Sequence, residues 1–201
     1  MFDFTYHTIA KTSEGLYKEK GSKFIALAYP VRTEEDVKQH LSDVKKQYYD
    51  ARHHCYAYIL GPNKDAYRLN DDGEPSGTAG RPIHGQLLSK DVTDTLIIVV
   101  RYFGGIKLGV SGLINAYKTA AKDALENNTI IEKFVEENYT ITFPPLGMNK
   151  VMQLLKRETV KIMGQRYEEN CLIDFCVQKR DADSLLEALR KVEGTNITVK
   201  I

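Results

Sequence analysis

Read by hydropathy period, the chain falls into two differently organised stretches. From about residue 139 the pattern is regular. Tyr139, Ile141 and Phe143 alternate as a strand that Pro144-Pro145 ends. Met148, Val151, Met152 and Leu155 recur at helical spacing. Val160 to Tyr167 and Cys171 to Val177 read as two strands joined by the polar Glu168-Glu169-Asn170. Asp181 is the expected N-cap of a second helix, with Ala182, Leu185, Leu186 and Leu189 as its buried stripe and Gly194 as its end. Ile197, Val199 and Ile201 alternate as a last strand. The order β-α-β-β-α-β predicts a ferredoxin-like domain with both helices on one face of an antiparallel sheet. The other face is then free to meet a partner, another domain or RNA.

The earlier stretch is also mixed α and β. Leu16-Tyr17 and Lys23 to Tyr29 predict a hairpin around Lys20-Gly21-Ser22. Thr33 caps a helix whose apolar positions are Val37, Leu41, Val44 and Tyr48. His54 to Leu60 reads as a strand, with Asp65 to Leu69 as a second arm after Gly61-Pro62-Asn63. A short helical piece follows at Ile83 to Ser89, then an apolar strand at Thr95 to Val100 and a helix from Ser111 to about Asn127. Ala116, Ala120, Ala121 and Ala124 let that helix approach a sheet closely. The charged segment Glu132 to Glu137 is the expected seam, which gives domains at 1–134 and 135–201. The fold class expected is α+β.

Composition narrows the function classes. The 201 residues are 42% hydrophobic and 27% charged, as in an ordinary globular protein. No apolar run is long enough to span a bilayer, and the first residues lack the pattern of a secretory signal. Cys55, Cys171 and Cys176 are odd in number and form no Cys-x-x-Cys pair. A cytoplasmic location with no membrane partner is expected. The formal net charge of +1 means that any nucleic-acid binding must rest on a local patch.

Two glycine-rich stretches, Asp71 to Pro82 and Arg101 to Gly112, offer that patch. A glycine loop entering a helix N-terminus presents free amides and the positive end of the helix dipole to an anion. Arg81, Arg101 and Lys107 gather there, and Gly104, Gly105 and Gly109 supply loop amides. Ser111 is placed as a helix cap. Tyr102 beside Arg101 suits base stacking next to phosphate neutralisation. His53 and His54 lie nearby in sequence; on a strand His53 and Cys55 share a side, roughly 7 Å apart, and His54 faces away. Neither a Walker loop nor a dinucleotide fingerprint is present: Val110 stands where the Walker lysine belongs. No cofactor is expected. Asp71, Asp72 and Glu74 are either turn chemistry or ligands for Mg²⁺ with a substrate phosphate.

Asp50 to Cys55, Asp71 to Pro82 and Val99 to Tyr117 resemble the bacterial YigZ / IMPACT family, and with the carboxy-terminal half the resemblance covers essentially the whole chain. It implies a first domain like the second domain of a small-subunit ribosomal protein, a fold also seen in elongation factor G and small-molecule kinases. It implies a ferredoxin-like second domain. Eukaryotic members are regarded as translation regulators and carry an additional RWD domain, which has no counterpart here, so that activity is not transferred. The expectation is a translation-associated regulator binding RNA or a ribosomal surface, with translation-related proteins as further partners and no DNA specificity evident. Binding should depend steeply on salt. The alternatives are a Mg²⁺-dependent enzyme acting on a phosphate-bearing small molecule, and a protein–protein module.

Overall fold

The apolar run after Thr95 becomes the middle strand of a five-stranded sheet. A computed structural model describes residues 4–200. In chain order the elements are β1 (Thr5–Ile9), β2 (Ser13–Glu19), β3 (Ser22–Pro30), α1 (Glu34–Gln47), β4 (His53–Leu60), β5 (Ala66–Asn70), α2 (Gly80–Ser89), β6 (Thr95–Tyr102), α3 (Gly109–Glu126), β7 (Ile130–Phe134), β8 (Glu136–Phe143), α4 (Met148–Leu155), β9 (Val160–Tyr167), β10 (Cys171–Gln178), α5 (Lys179–Arg190) and β11 (Asn196–Val199). They form two compact units, one of residues 6–133 and one of residues 134–200 with the described residues that precede Tyr6.

In the first unit the sheet order is β2-β3-β6-β4-β5, every pairing antiparallel. Helices cover both faces, so β6 is buried on both and carries no polar alternation until Arg101. Ile97 and Val99 pack with Ile83 and Leu87 of α2 and the alanines of α3. Leu96, Ile98 and Val100 pack with Val37 and Val44 of α1. Thr33 caps α1 as expected: its hydroxyl accepts from the Asp36 amide at 3.1 Å, and the Asp36 carboxylate accepts from the Thr33 amide at 3.0 Å. The small residues of α3 lie against β2 so closely that a Cβ on Gly15 would come 2.2 Å from the Ala124 amide nitrogen.

The second unit has sheet order β11-β8-β10-β9, all antiparallel. The last strand lies beside the first and the third between first and second, as a ferredoxin-like fold requires. Ile141, Phe143, Ile173, Phe175 and Val177 pack with Val151 and Leu155 of α4 and with Leu185 and Leu189 of α5.

Three local readings need correction. The seam segment 132–137 is strand and not loop: β7 and β8 run through it with only Val135 between. Gln178, in extended conformation, precedes α5, and Asp181 is its third residue, where the carboxylate favours the helix dipole without capping. Gly194, at φ +76°, lies beyond the actual C-cap, Lys191. Ile201 lies outside the described residues.

Candidate anion-binding cleft

The two glycine loops meet at a cavity of about 470 Å³ on the α2/α3 side of the first sheet. Glu74 and Pro75 come from the first loop. Arg101, Phe103, Lys107, Leu108, Gly109 and Val110 come from the second. Arg52, His53 and Leu113 complete the lining.

Strand register sets the floor. Arg101 of β6 pairs with Phe24 of β3 on one side and with His53 of β4 on the other. All three side chains therefore project toward α2 and α3. The Arg101 guanidinium lies 5.4 Å from the Phe24 ring centroid and 5.6 Å from that of Phe103. It is only 6% exposed and donates to the Glu74 carboxylate at 2.5 Å. The same Glu74 oxygen accepts from the Tyr117 hydroxyl at 2.7 Å. Tyr117 is fully buried, and burial pushes its phenol far above the ordinary range, beyond ionisation. The Cys55 thiol beneath it, also raised by burial, donates to the Asp71 carbonyl at 3.0 Å and is no nucleophile. Among the described residues the buried Arg101 Nε has no hydrogen-bond partner.

The wall is the start of α3. Leu108 stands at the N-cap with no side-chain hydrogen bond to the first turn. That end of the helix keeps its amide donors, with Lys107 beside them. Neither Lys107 nor Arg52 forms an ion pair among the described residues. The first loop is built the opposite way. The Asp71 carboxylate accepts from the amides of Gly77 at 2.8 Å, Ala79 at 3.0 Å and Gly80 at 2.8 Å, and so occupies the N-terminus of α2 itself. Burial pushes this carboxyl up, but the three amides and nearby Arg81 outweigh it and hold the group below its usual range.

Of the ten residues singled out in sequence, the structure brings His53, Arg101, Lys107 and Gly109 to the cleft. Tyr102 and His54 project to the opposite face, because strand alternation separates each from its neighbour. Tyr102 donates to Asp50 at 2.7 Å, which raises its phenol to about 12. His54 is buried against the Tyr48 carbonyl at 3.0 Å. Arg81 does not line the cleft and faces the Asp71 charge. Ser111 is the third residue of α3, not its cap, since the helix begins at Gly109. Gly104 is a packing residue: a Cβ there would lie 2.0 Å from the Gly21 carbonyl carbon. Gly105, at φ +89°, turns the loop without lining the cleft. Arg101 itself is no free phosphate clamp, because Glu74 neutralises it.

The acidic loop is likewise engaged. Asp71 holds α2, Asp72 accepts from the His54 amide at 2.7 Å, and Glu74 faces Arg101 and Tyr117. Among the described residues no group of three His, Cys, Asp or Glu is placed to hold a metal ion. Each of the three carboxylates named for Mg²⁺ thus has a protein partner. Sequence reasoning missed Arg52, Phe103 and Tyr117. A polar hydroxyl inside the small-residue stripe of α3 is the one signal that marks Tyr117 in advance.

The uncovered face of the second sheet differs from an RNA-stacking platform. Alternation places Thr140 and Thr142 of β8 and Leu172, Asp174 and Cys176 of β10 there, with no aromatic ring among them, since Tyr139, Phe143 and Phe175 face the helices. Asp174 accepts from Thr140 at 2.5 Å and from Lys200 at 2.9 Å, and these contacts lower its carboxyl.

A family model for the Impact N-terminal domain matches residues 20–125. The IMPACT family member YvyE of Bacillus subtilis is 30% identical over 196 residues, covering 98% of this chain and 90% of that protein. The chain belongs to the IMPACT family. The family member YigZ of Escherichia coli is 35% identical over 156 residues, covering 77% of this chain and 76% of that one. A crystal structure of a hypothetical protein, 27% identical, superposes with a TM-score of 0.78 over 100% of this chain and 99% of that one. Every residue lining the cleft falls inside the matched Impact domain. No helix among the described residues is long and apolar enough to cross a membrane.

Proposed function

We propose that this IMPACT family chain is a cytoplasmic, translation-associated regulatory protein that binds single-stranded RNA, free or on a ribosomal surface, through the cleft of its first unit. One observation carries the reading: the uncapped start of α3 opens onto a cleft lined by Lys107 and Arg52, neither of which has an ion pair among the described residues. The amides and Lys107 suit a phosphate. Phe103, half exposed at 51%, suits an unstacked base. Segment 101–122 holds Arg101, Lys107, Lys118 and Lys122 and no acidic residue, so a polyanion meets no local repulsion from it.

The test is fluorescence anisotropy with a short labelled single-stranded RNA. Reversing Arg52 and Lys107 together to Glu is expected to weaken binding at least roughly tenfold, as the loss of two phosphate contacts implies. Unchanged affinity overturns the reading. Partners that survive nuclease treatment in a pull-down, without any RNA affinity, favour a protein–protein module.

A further inference from the structure

His53 sits in the cleft in a defined tautomer. Its Nδ1 lies 2.8 Å from the Asp72 carbonyl oxygen. A carbonyl only accepts, so Nδ1 carries the proton, and in the neutral ring Nε2 is a lone-pair acceptor. That hydrogen bond orients the ring, and Gly73, at φ +85°, lies beside the imidazole edge: a Cβ built on it would come 3.6 Å from Nδ1 and 3.7 Å from Cε1. Among the described residues Nε2 has no hydrogen-bond partner. Around it the cleft offers donors: Arg52, Lys107 and the first amides of α3. Its one carboxylate, Glu74, faces Arg101 and Tyr117.

A cleft of donors for an anion with one fixed acceptor beside them matches a ligand that carries a phosphate and a neighbouring hydroxyl. We infer that His53 Nε2 accepts the hydrogen bond of a ribose 2′-hydroxyl and so selects RNA over DNA in this cleft. RNA joins those two groups on adjacent atoms, and DNA lacks the hydroxyl. His53 is a specificity residue here and takes part in no bond-breaking step. The inference rests on the RNA reading above and refines it.

The test compares three oligonucleotides of one sequence, as RNA, 2′-O-methyl RNA and DNA, by anisotropy with the full chain. Wild type is expected to bind RNA roughly fivefold tighter than either of the others, the value of one net hydrogen bond. The methylated strand keeps the RNA sugar conformation without the O–H donor, so it separates hydroxyl donation from helical shape. His53→Phe, which keeps the ring and loses the acceptor, is expected to bind all three alike. His53→Gln, whose amide oxygen reaches the Nε2 position, is expected to regain part of the preference. Equal wild-type affinity for RNA and 2′-O-methyl RNA, or a preference that His53→Phe retains, overturns the inference and leaves the RNA reading standing. No affinity for any of the three overturns both. The wild-type arm needs no folded variant.

Discussion

Glu74 accepts two hydrogen bonds on one carboxylate oxygen, from Arg101 and Tyr117, in surroundings almost closed to water. Removing its charge leaves a guanidinium buried between aromatic rings without a counter-ion. Glu74→Gln is therefore expected to destabilise the first unit by about 3–5 kcal/mol, read by urea denaturation. Adding Arg101→Met should recover much of that loss, since the pair as a whole is replaceable by apolar packing. Asp71 is the second residue with a large local role. Its carboxyl is held below the unfolded value of about 3.9, so its contribution is complete above that pH and fades as the pH falls through the folded value. Asp71→Asn is expected to cost about 1–2 kcal/mol at pH 7. The gap between the two proteins should close as denaturation is repeated below about pH 4.

Among the elements, the hairpin of β2 and β3 presses its turn onto the second glycine loop. Gly104 donates its amide to Ser22 at 3.1 Å, and its Cα meets the Gly21 backbone with no room for a methyl group. Gly109 has the same residue type and a positive φ of +75°, but open space around it. Gly104→Ala is expected to cost about 1–3 kcal/mol by overpacking and to shift the hairpin. Gly109→Ala should cost only the strain of its backbone, about 1–2 kcal/mol. Thermal melts of the two variants check the order. These elements also show what the amino-acid pattern makes legible. Hydropathy period located the elements that bury a continuous face, or two in the case of β6, and missed β1 and β7, most of whose residues are only partly buried or exposed. Helix starts were read less well. Ser111 and Asp181 are residue types that favour caps, yet α3 and α5 begin two positions earlier, where tertiary packing and not a side-chain oxygen sets the end. The cleft was half legible for a related reason. Glycine loops and basic residues stand out locally, whereas the pairing of Arg101 with Glu74 is a contact across 27 positions that no local pattern encodes.

For the molecule as a whole, a net charge of +1 gives RNA no long-range field to follow. The cleft contributes Arg52 and Lys107 as cations without an ion pair among the described residues, while Arg101 is compensated. The expected steep salt dependence therefore becomes a shallow one. A plot of log affinity against log salt for a single strand should have a slope of about −1 to −2. A much steeper slope would place most of the phosphate contacts outside this cleft. The second unit adds a sheet face on which the two central strands place no aromatic ring, so the contact expected there does not include base stacking by these strands.

The Asp71 carboxylate has a counterpart in solution chemistry. It is a tethered anion plugging a socket of three amides that would suit a free oxyanion equally well. An Asp71→Ala protein would then behave as a lock missing its key. Sulfate or acetate in the buffer should restore part of its melting temperature by chemical rescue, and chloride should do so less. The N-terminus of α2 thus carries its own anion on the chain, held in place by the fold and needing none from the buffer.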